Sequence, residues 1–295
     1  MKKDQFFVVL PSNSSMHVYP ENTTTHFATY LPRQIELDGE WEVALTEIQI
    51  PMTMYHLKKN KNLIDQRIFV KILRNDKQKE VLLNNVIPRE VTKTSTQKEP
   101  PVSTTSVSYV CSGIYSSVES FLEELNQLSA VQNHFKFLRN RGGFVFVKLI
   151  CKNSCKNTAM HCLDISEKIR NILGFNQQQQ QDIFELRGPE KEQIVAKKLP
   201  DITANIPNTI MIYTDILEPC ITGDVHTPLL RSVALDLEKY TFGSIRVKNF
   251  SPPTYVPLLS NSFKSIEIDL RDEYGSPVPF DSGTLIATLH FKRTR

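Results

Sequence analysis

Apolar and polar residues alternate with the two-residue period of a β-strand in the N-terminal part of the chain. The segments 41–50 (WEVALTEIQI) and 68–72 (IFVKI) show this pattern most clearly. It predicts strands with one buried and one solvated face. The apolar phase changes after Leu45, and this change predicts a β-bulge near Thr46 and Glu47.

The strand pattern returns after residue 200. Pro- and Gly-containing turns separate the segments TIMIYTDI, LLRSVALDL, FGSIRVKNF, FKSIEIDLRD and TLIATLHFKR. Short strands at this spacing, with no helical pattern between them, are typical of an antiparallel sandwich or jelly roll. Glu267 and Asp269 share a face of the fourth segment. A solvated face that discourages edge aggregation explains them better than a pair of catalytic carboxylates.

Helical spacing occurs only in the middle of the chain. Ser116 and Glu119 fit a capping box at the start of one helix. Asp164 can cap a second helix, and Gly174 stands where a left-handed residue ends it. Between them, the strand run FVFVKLIC and the polar turn KNSCKN predict a hairpin that returns over 158–163.

These patterns together predict a mainly β fold, a single jelly-roll β-sandwich interrupted by an α+β (helix–hairpin–helix) insertion. We expect residues 1–112 and 201–295 to form the two parts of the jelly roll. Residues 113–200 would form the insertion, and its glutamine-rich end from residue 177 would be a polar linker.

Composition narrows the function. The chain is 40% hydrophobic and has a net charge of +3, so it is not a strongly basic nucleic-acid coat, and we expect no specific nucleic-acid partner. No apolar stretch approaches the length of a membrane span. The apolar run near the start ends at Pro11 and is too short for a signal peptide, so we expect synthesis in the cytoplasm and five reduced cysteines.

Signatures of catalysis are missing from the sequence. It contains no P-loop, no Gly-x-Ser-x-Gly elbow, no His-Glu-x-x-His and no dinucleotide fingerprint. We therefore expect neither an enzyme nor a cofactor.

The best candidate for a metal site is the group Cys151, Cys155, His161 and Cys162. Thiolate and imidazole are suitable zinc ligands. However, the spacing matches no common structural zinc pattern, and the adjacent His161 and Cys162 would point to opposite faces of a strand. Small apolar cysteines near a tight turn are the simpler explanation.

Pro252, Pro253, Thr254 and Tyr255 form a PPxY string. WW domains bind such segments through their preformed extended helix, so a WW-domain partner is one hypothesis. The other is a rigid connection in which Tyr255 packs on the body of the protein. The sequence leaves both open.

Three segments carry a resemblance to a known family. The N-terminal one is FFVVLPSNSSMHVYPENTTTHFATYLPRQIELDGEWEVALTEIQIP, and the C-terminal ones are TDILEPCITGDVHTPLLR and YVPLLSNSFKSIEIDLRDEYGSPVPFDSGTLIATLHFKR. Together with the helices SSVESFLEELN and DISEKIRNILGF, they resemble the capsid proteins of Polinton (Maverick) elements and adintovirus-like viruses. The layout is also distantly similar to adenovirus penton base.

This resemblance implies a structural protein of the virion. The chain has strands for one sandwich and an insertion, so the similarity is to the single jelly-roll penton, a minor capsid protein, which forms homopentamers at five-fold vertices and contacts the major capsid protein. The alternatives are a trimeric major capsid subunit, which needs two stacked jelly rolls, and a metal-binding or hydrolytic domain around residues 151–162.

Overall fold

The computed structural model describes residues 4–57, 66–73, 104–111, 113–150, 160–175, 183–186 and 193–294. The chain divides into two compact units. The sandwich unit comprises Met1–Tyr55 and Ile206–Arg295, and the inserted unit comprises His56–Asn205.

Strands dominate the described residues. In chain order they are β1 (Gln5–Pro11), β2 (His26–Glu36), β3 (Trp41–Pro51), β4 (Arg67–Leu73), β5 (Thr104–Tyr109), β6 (Phe135–Arg139), β7 (Val145–Leu149), β8 (Met160–Ile165), β9 (Ile183–Leu186), β10 (Gln193–Val195), β11 (Thr209–Thr214), β12 (Cys220–Thr222), β13 (Val225–Thr227), β14 (Leu229–Ala234), β15 (Ile245–Asn249), β16 (Val256–Pro257), β17 (Ser262–Arg271) and β18 (Ile286–Arg293). The α-helices are α1 (Val118–Gln127) and α2 (Glu167–Leu173), and a 3₁₀-helix spans Leu237–Lys239.

Two antiparallel sheets build the sandwich unit. The first sheet has the strand order β1–β18–β3–β15, with β16 also pairing with β3, and the second has the order β14–β11–β17–β2. Along the chain, β1, β3, β15 and β18 lie in the first sheet, whereas β2, β11, β14 and β17 lie in the second. These eight strands, four in each sheet and connected in this order, make a jelly roll, to which β16 adds a short fifth strand in the first sheet. The predicted fold class is therefore confirmed.

Each sheet buries one face in a shared core. The predicted bulge is confirmed: Leu289 pairs with Leu45 and Thr288 pairs with Glu47, so Thr46 is the extra residue in β3. This extra residue lets the apolar residues on both sides of it face the core. Trp41, at the start of β3, is only 6% exposed, and its indole Nε1–H donates to the carbonyl of Asp38 at 3.1 Å.

Side-chain hydrogen bonds fix the connection between β1 and β2. The Ser12 hydroxyl accepts from the N–H of Leu285 at 3.0 Å. The amide of Asn22 donates to the carbonyls of Ser14 and Ala28 at 3.0 and 2.9 Å, and its oxygen accepts from the N–H of Ala28 at 2.9 Å. These bonds replace the strand pairing that the connecting backbone lacks.

The inserted unit contains a sheet with the order β5–β4–β8–β9, a sheet with the order β10–β7–β6, and both α-helices. Its residues form a second hydrophobic core. This division differs from the predicted boundaries at residues 112 and 200, because β4 and β5 pair with each other and with β8 rather than with any strand of the jelly roll. Local periodicity predicted β4, but it predicted neither β5 nor the pairing of β4 with β8.

Two helix caps differ from the prediction. Helix α1 begins one residue later: the hydroxyl of Ser117, not that of Ser116, accepts from the N–H of Ser120 at 3.2 Å. The residue before α2 is Ser166, because Asp164 lies in β8, where its carboxylate pairs with Arg67 at 3.2 Å. Gly174 ends α2 with φ +81°, as predicted.

The predicted hairpin between β7 and β8 is wrong, because β7 has a different partner. Strand β7 pairs with β6 across a tight turn that contains Gly143 at φ +85°, whereas β8 lies between β4 and β9 in the other sheet. Most side chains of β8 are buried, which suits a central strand. The predicted polar linker also contains β9 and β10, although the glutamine run 177–181 lies outside the described residues. No α-helix in the described parts is long and apolar enough to cross a membrane.

Candidate functional site: the outer face and two edges of the first sheet

Strand β1 is an edge strand of the first sheet and carries apolar residues on both of its faces. Phe6, Val8 and Leu10 pack on or in the core of the sandwich unit. Phe7 and Val9 point the other way and are 62% and 56% exposed. An edge strand with exposed apolar side chains is typical of a surface that binds another chain.

Aromatic rings form a row across the outer face of this sheet. Phe7 stacks on the ring of His290 with 4.3 Å between the centroids, and Tyr255 meets the same ring edge-on at 5.8 Å. The Tyr255 hydroxyl shares a 2.7 Å hydrogen bond with Nδ1 of His290. Burial, followed by the nearby charge of Lys292, lowers the pKa of His290.

This row also locates the PPxY string. Pro252 is exposed, Pro253 and Tyr255 are half-buried, and the Thr254 hydroxyl accepts from Arg231 at 3.1 Å. The tyrosine thus packs on the sandwich, as the second of the two hypotheses expects. Use of the string by a WW domain stays a prediction, and it would require Tyr255 to leave His290.

At the opposite edge of the same sheet, the apolar side chains of β15 are exposed and its cationic side chains point inward. Ile245 and Val247 are 62% and 53% exposed on the outer face. Arg246 and Lys248 point inward at the open side of the sandwich, where they donate to the backbone carbonyls of Lys239 and Ala234. The cationic residues therefore satisfy carbonyl groups, and the apolar residues meet solvent.

A cleft of about 820 Å³ lies beside β1. Its apolar floor includes Phe6, Leu31 and Trp41. Its far wall is β2, in which the pairing jumps from Phe263–Ile35 to Ser265–Tyr30. The charged residues that line the cleft are Asp4, Arg33, Glu36, Asp38 and Arg293.

The metal candidates are described only in part. Cys151 and Cys155 lie outside the described residues. His161 and Cys162 are adjacent in β8, and both are buried. Nowhere in the described residues do three or more His, Cys, Asp or Glu side chains form a group that could hold a metal ion. That these residues bind no metal stays a prediction.

His161 has instead the surroundings of a buried neutral histidine. Its ring lies 5.8 Å from that of His134 and 6.2 Å from that of Phe135. Within the described residues, neither of its ring nitrogens has a hydrogen-bond partner. Burial, with a smaller contribution from His134, lowers the pKa of His161 to about 4.

Glu267 and Asp269 belong to a mixed-charge cluster on the second sheet. His26 lies 3.4 Å from the Glu267 carboxylate and 3.6 Å from that of Asp269, and Arg271 pairs with Asp269 at 2.7 Å. This arrangement fits the solvated strand face that the sequence favours, since each carboxylate has a basic neighbour.

The exposed apolar pairs on β1 and β15 were not among the functional residues expected from the sequence. In β1 the sequence did indicate such a pair. A strand with one buried face needs apolar residues only at every second position, whereas the run FFVVL is apolar at every position, so some of its side chains must be exposed. In β15 the signal was misleading, because IRVKN alternates like a strand with buried Ile245 and Val247.

Comparisons with known proteins add a likeness among solved structures. No family model and no curated protein matches the sequence. Among solved structures, the chain is similar to the crystal structure of a selenomethionine-labelled mavirus penton protein, with a TM-score of 0.47 and 11% sequence identity. The alignment covers 99% of this chain and 100% of that one.

Proposed function

We propose that the protein is a structural subunit of a virus capsid: a penton-like minor capsid protein that forms homopentamers at five-fold vertices. In this role it has no enzymatic activity and resides in the virion after synthesis in the host cytoplasm. Its partners are further copies of itself and the major capsid protein.

The observation that carries this proposal is where the capsid-like segments lie in the fold. Residues 6–51 contain β2, β3 and all but the first residue of β1. Residues 214–231 contain the first half of β14, and residues 255–293 contain β17 and β18. The segments that resemble capsid proteins thus supply most strands of the jelly roll. Within these segments, Asn22 fixes the connection between β1 and β2, and Trp41 is part of the core. The resemblance therefore concerns residues that determine the fold.

The outer surface of the first sheet also suits an assembling subunit. Exposed apolar side chains occur on both of its edge strands, and exposed apolar groups of this kind mark interaction surfaces. A closed ring needs two different patches on each subunit, because every contact is heterologous. The sheet offers one patch at each edge.

The proposal is tested by the oligomeric state of the purified full-length chain. Light scattering after size exclusion, over a range of concentrations and with or without the cognate major capsid protein, should show a shift from monomer to pentamer. Negative-stain images should show five-fold rings. Three-fold particles would overturn the proposal in favour of a major capsid subunit. A chain that stays monomeric under every condition would also overturn the proposal.

The alternative of a metal-binding domain is tested on the same sample by elemental analysis. We expect no bound zinc. Zinc at one ion per chain would favour a metal site that includes His161 and Cys162.

A further inference from the structure

We infer that the first sheet supplies both halves of the contact between neighbouring copies. The β1 edge of one copy, with Phe7 and Val9, packs against the β15 edge of the next copy, with Ile245 and Val247. The inference rests on the proposed function, because it names the surfaces through which the ring would close.

Exposure and position support this pairing. The four side chains are between 53% and 62% exposed, although all are apolar. They lie on the same outer face of the sheet but on its two opposite edge strands. Three strand spacings of about 4.8 Å separate those edges, so one subunit presents two separate patches roughly 14 Å apart.

Strand direction favours contact between unlike edges. Strand β1 runs antiparallel to β18, β18 to β3, and β3 to β15. Strands β1 and β15 therefore run in opposite directions. When two copies lie edge to edge with the same face outward, β1 of one meets β15 of the other antiparallel, as every neighbouring pair in the sheet already does.

The β1 edge also lacks the features that protect a sheet edge. From Gln5 to Leu10 it contains no charged residue, and its proline, Pro11, stands only at the end. The neighbouring edge strand β2 is protected, because Pro32 and an irregular pairing with β17 interrupt it. An unprotected apolar edge is a template on which another chain can pair.

The two edges fit each other better than either fits itself, and the proposed function supplies a second copy as the partner. Both edges present exposed apolar side chains on the same outer face of the sheet. Arg246 and Lys248 of β15 already donate to carbonyls of their own chain, so the contact depends on the apolar side chains and not on these charges. Because unlike edges meet antiparallel, the contact between copies is head-to-tail.

Two double variants test the inference in the full-length chain. Phe7→Thr with Val9→Thr removes one apolar patch, and Ile245→Thr with Val247→Thr removes the other. Threonine keeps a high β propensity, so each strand should still form. The matched control is Ile221→Thr with Val225→Thr, which changes two residues that are 74% and 52% exposed on the β12–β13 hairpin.

We expect each edge variant to raise the concentration at half-assembly at least about tenfold, whereas the control assembles like the wild type. An equimolar mixture of the two edge variants should form a dimer and nothing larger, because one intact β1 edge can meet one intact β15 edge. Dimer formation in the mixture also shows that both variants are folded.

Each other outcome has a defined meaning. If one edge variant alone forms a dimer, the contact is between like edges and the inference is wrong. If the wild type forms five-fold rings and both edge variants do so equally well, the inference fails while the proposed function stands. A wild type that never assembles overturns the proposed function itself.

Discussion

His161 should make the inserted unit sensitive to acid. Its side chain is fully buried in β8, next to the ring of His134, and its ring nitrogens have no hydrogen-bond partner within the described residues. A charged imidazole at this position loses its hydration and gains no hydrogen bond from the described residues in return. The folded protein therefore holds His161 neutral at a pH where the unfolded chain protonates it.

The size of the effect follows from the two pKa values. The pKa of His161 is about 4 in the folded protein, compared with 6.5 for an ordinary histidine. This difference corresponds to about 3 kcal/mol in the free energy of unfolding. Because the folded pKa is the lower one, the loss begins as the pH falls below 6.5 and is complete below pH 4. Burial also lowers the pKa of His56 and His134, so the whole unit loses more than His161 alone contributes.

The measurement compares urea unfolding of the wild type and His161→Leu at several pH values between 7 and 4. Within the described residues both α-helices belong to the inserted unit, so ellipticity at the helical minimum reports on that unit. Trp41 is the only tryptophan of the chain and lies in the sandwich unit, so its fluorescence reports on the other transition. Leucine removes both unpaired nitrogens and keeps a similar apolar volume, so we expect no loss of stability at pH 7.

Between pH 7 and pH 4, the helical transition of His161→Leu should lose about 3 kcal/mol less than that of the wild type. The control is His17→Leu, since His17 is exposed and belongs to the sandwich unit; it should behave like the wild type in the helical signal. Equal losses in the wild type and His161→Leu would refute the argument, because they would show that His161 takes up its proton as readily in the folded protein as in the unfolded chain.

Three further predictions concern the sandwich unit. Trp41→Ala should destabilise it by about 3–5 kcal/mol, because it empties a core position, and a thermal melt with an unchanged midpoint would contradict this. Asn22→Ala should cost about 1–3 kcal/mol in urea unfolding, because two carbonyls and an N–H lose their partner, while Asn13→Ala at an exposed position of the same connection should cost little. Replacing residues 56–205 by a Gly/Ser linker should leave a soluble chain with a β-type circular dichroism spectrum, and failure of that chain to fold would show that the sandwich needs the inserted unit.

Much of the sandwich was determined by the sequence alone. Alternation predicted β3 and β17, and the change of phase after Leu45 predicted the bulge at Thr46. These features are local, since neighbouring residues on a strand point to opposite faces and any extra residue must shift the phase. The glycine at the end of α2 was predictable for the same reason, because only a left-handed residue ends a helix in this way.

Strand partners were beyond the reach of the sequence. The alternation in β4 predicted a strand but gave no sign that it pairs with β8, almost a hundred residues later. The polar segment 152–157 predicted a hairpin of β7 with β8. In the structure β7 pairs instead with β6, to which a shorter turn connects it. Pairing depends on which chain segments meet in space, and a periodic pattern contains no information about that.

The burial of β15 in the candidate site was also not predictable from the sequence. Periodicity tells which residues of β15 share a face, but not which of the two faces becomes buried. In the interior of a sheet, Ile245 and Val247 would take the inner face. At this open edge the tertiary structure places Arg246 and Lys248 there instead, because backbone carbonyls need donors and the long side chains reach them. The exposed apolar pair, and with it the surface proposed for assembly, exists only because β15 lies at an edge.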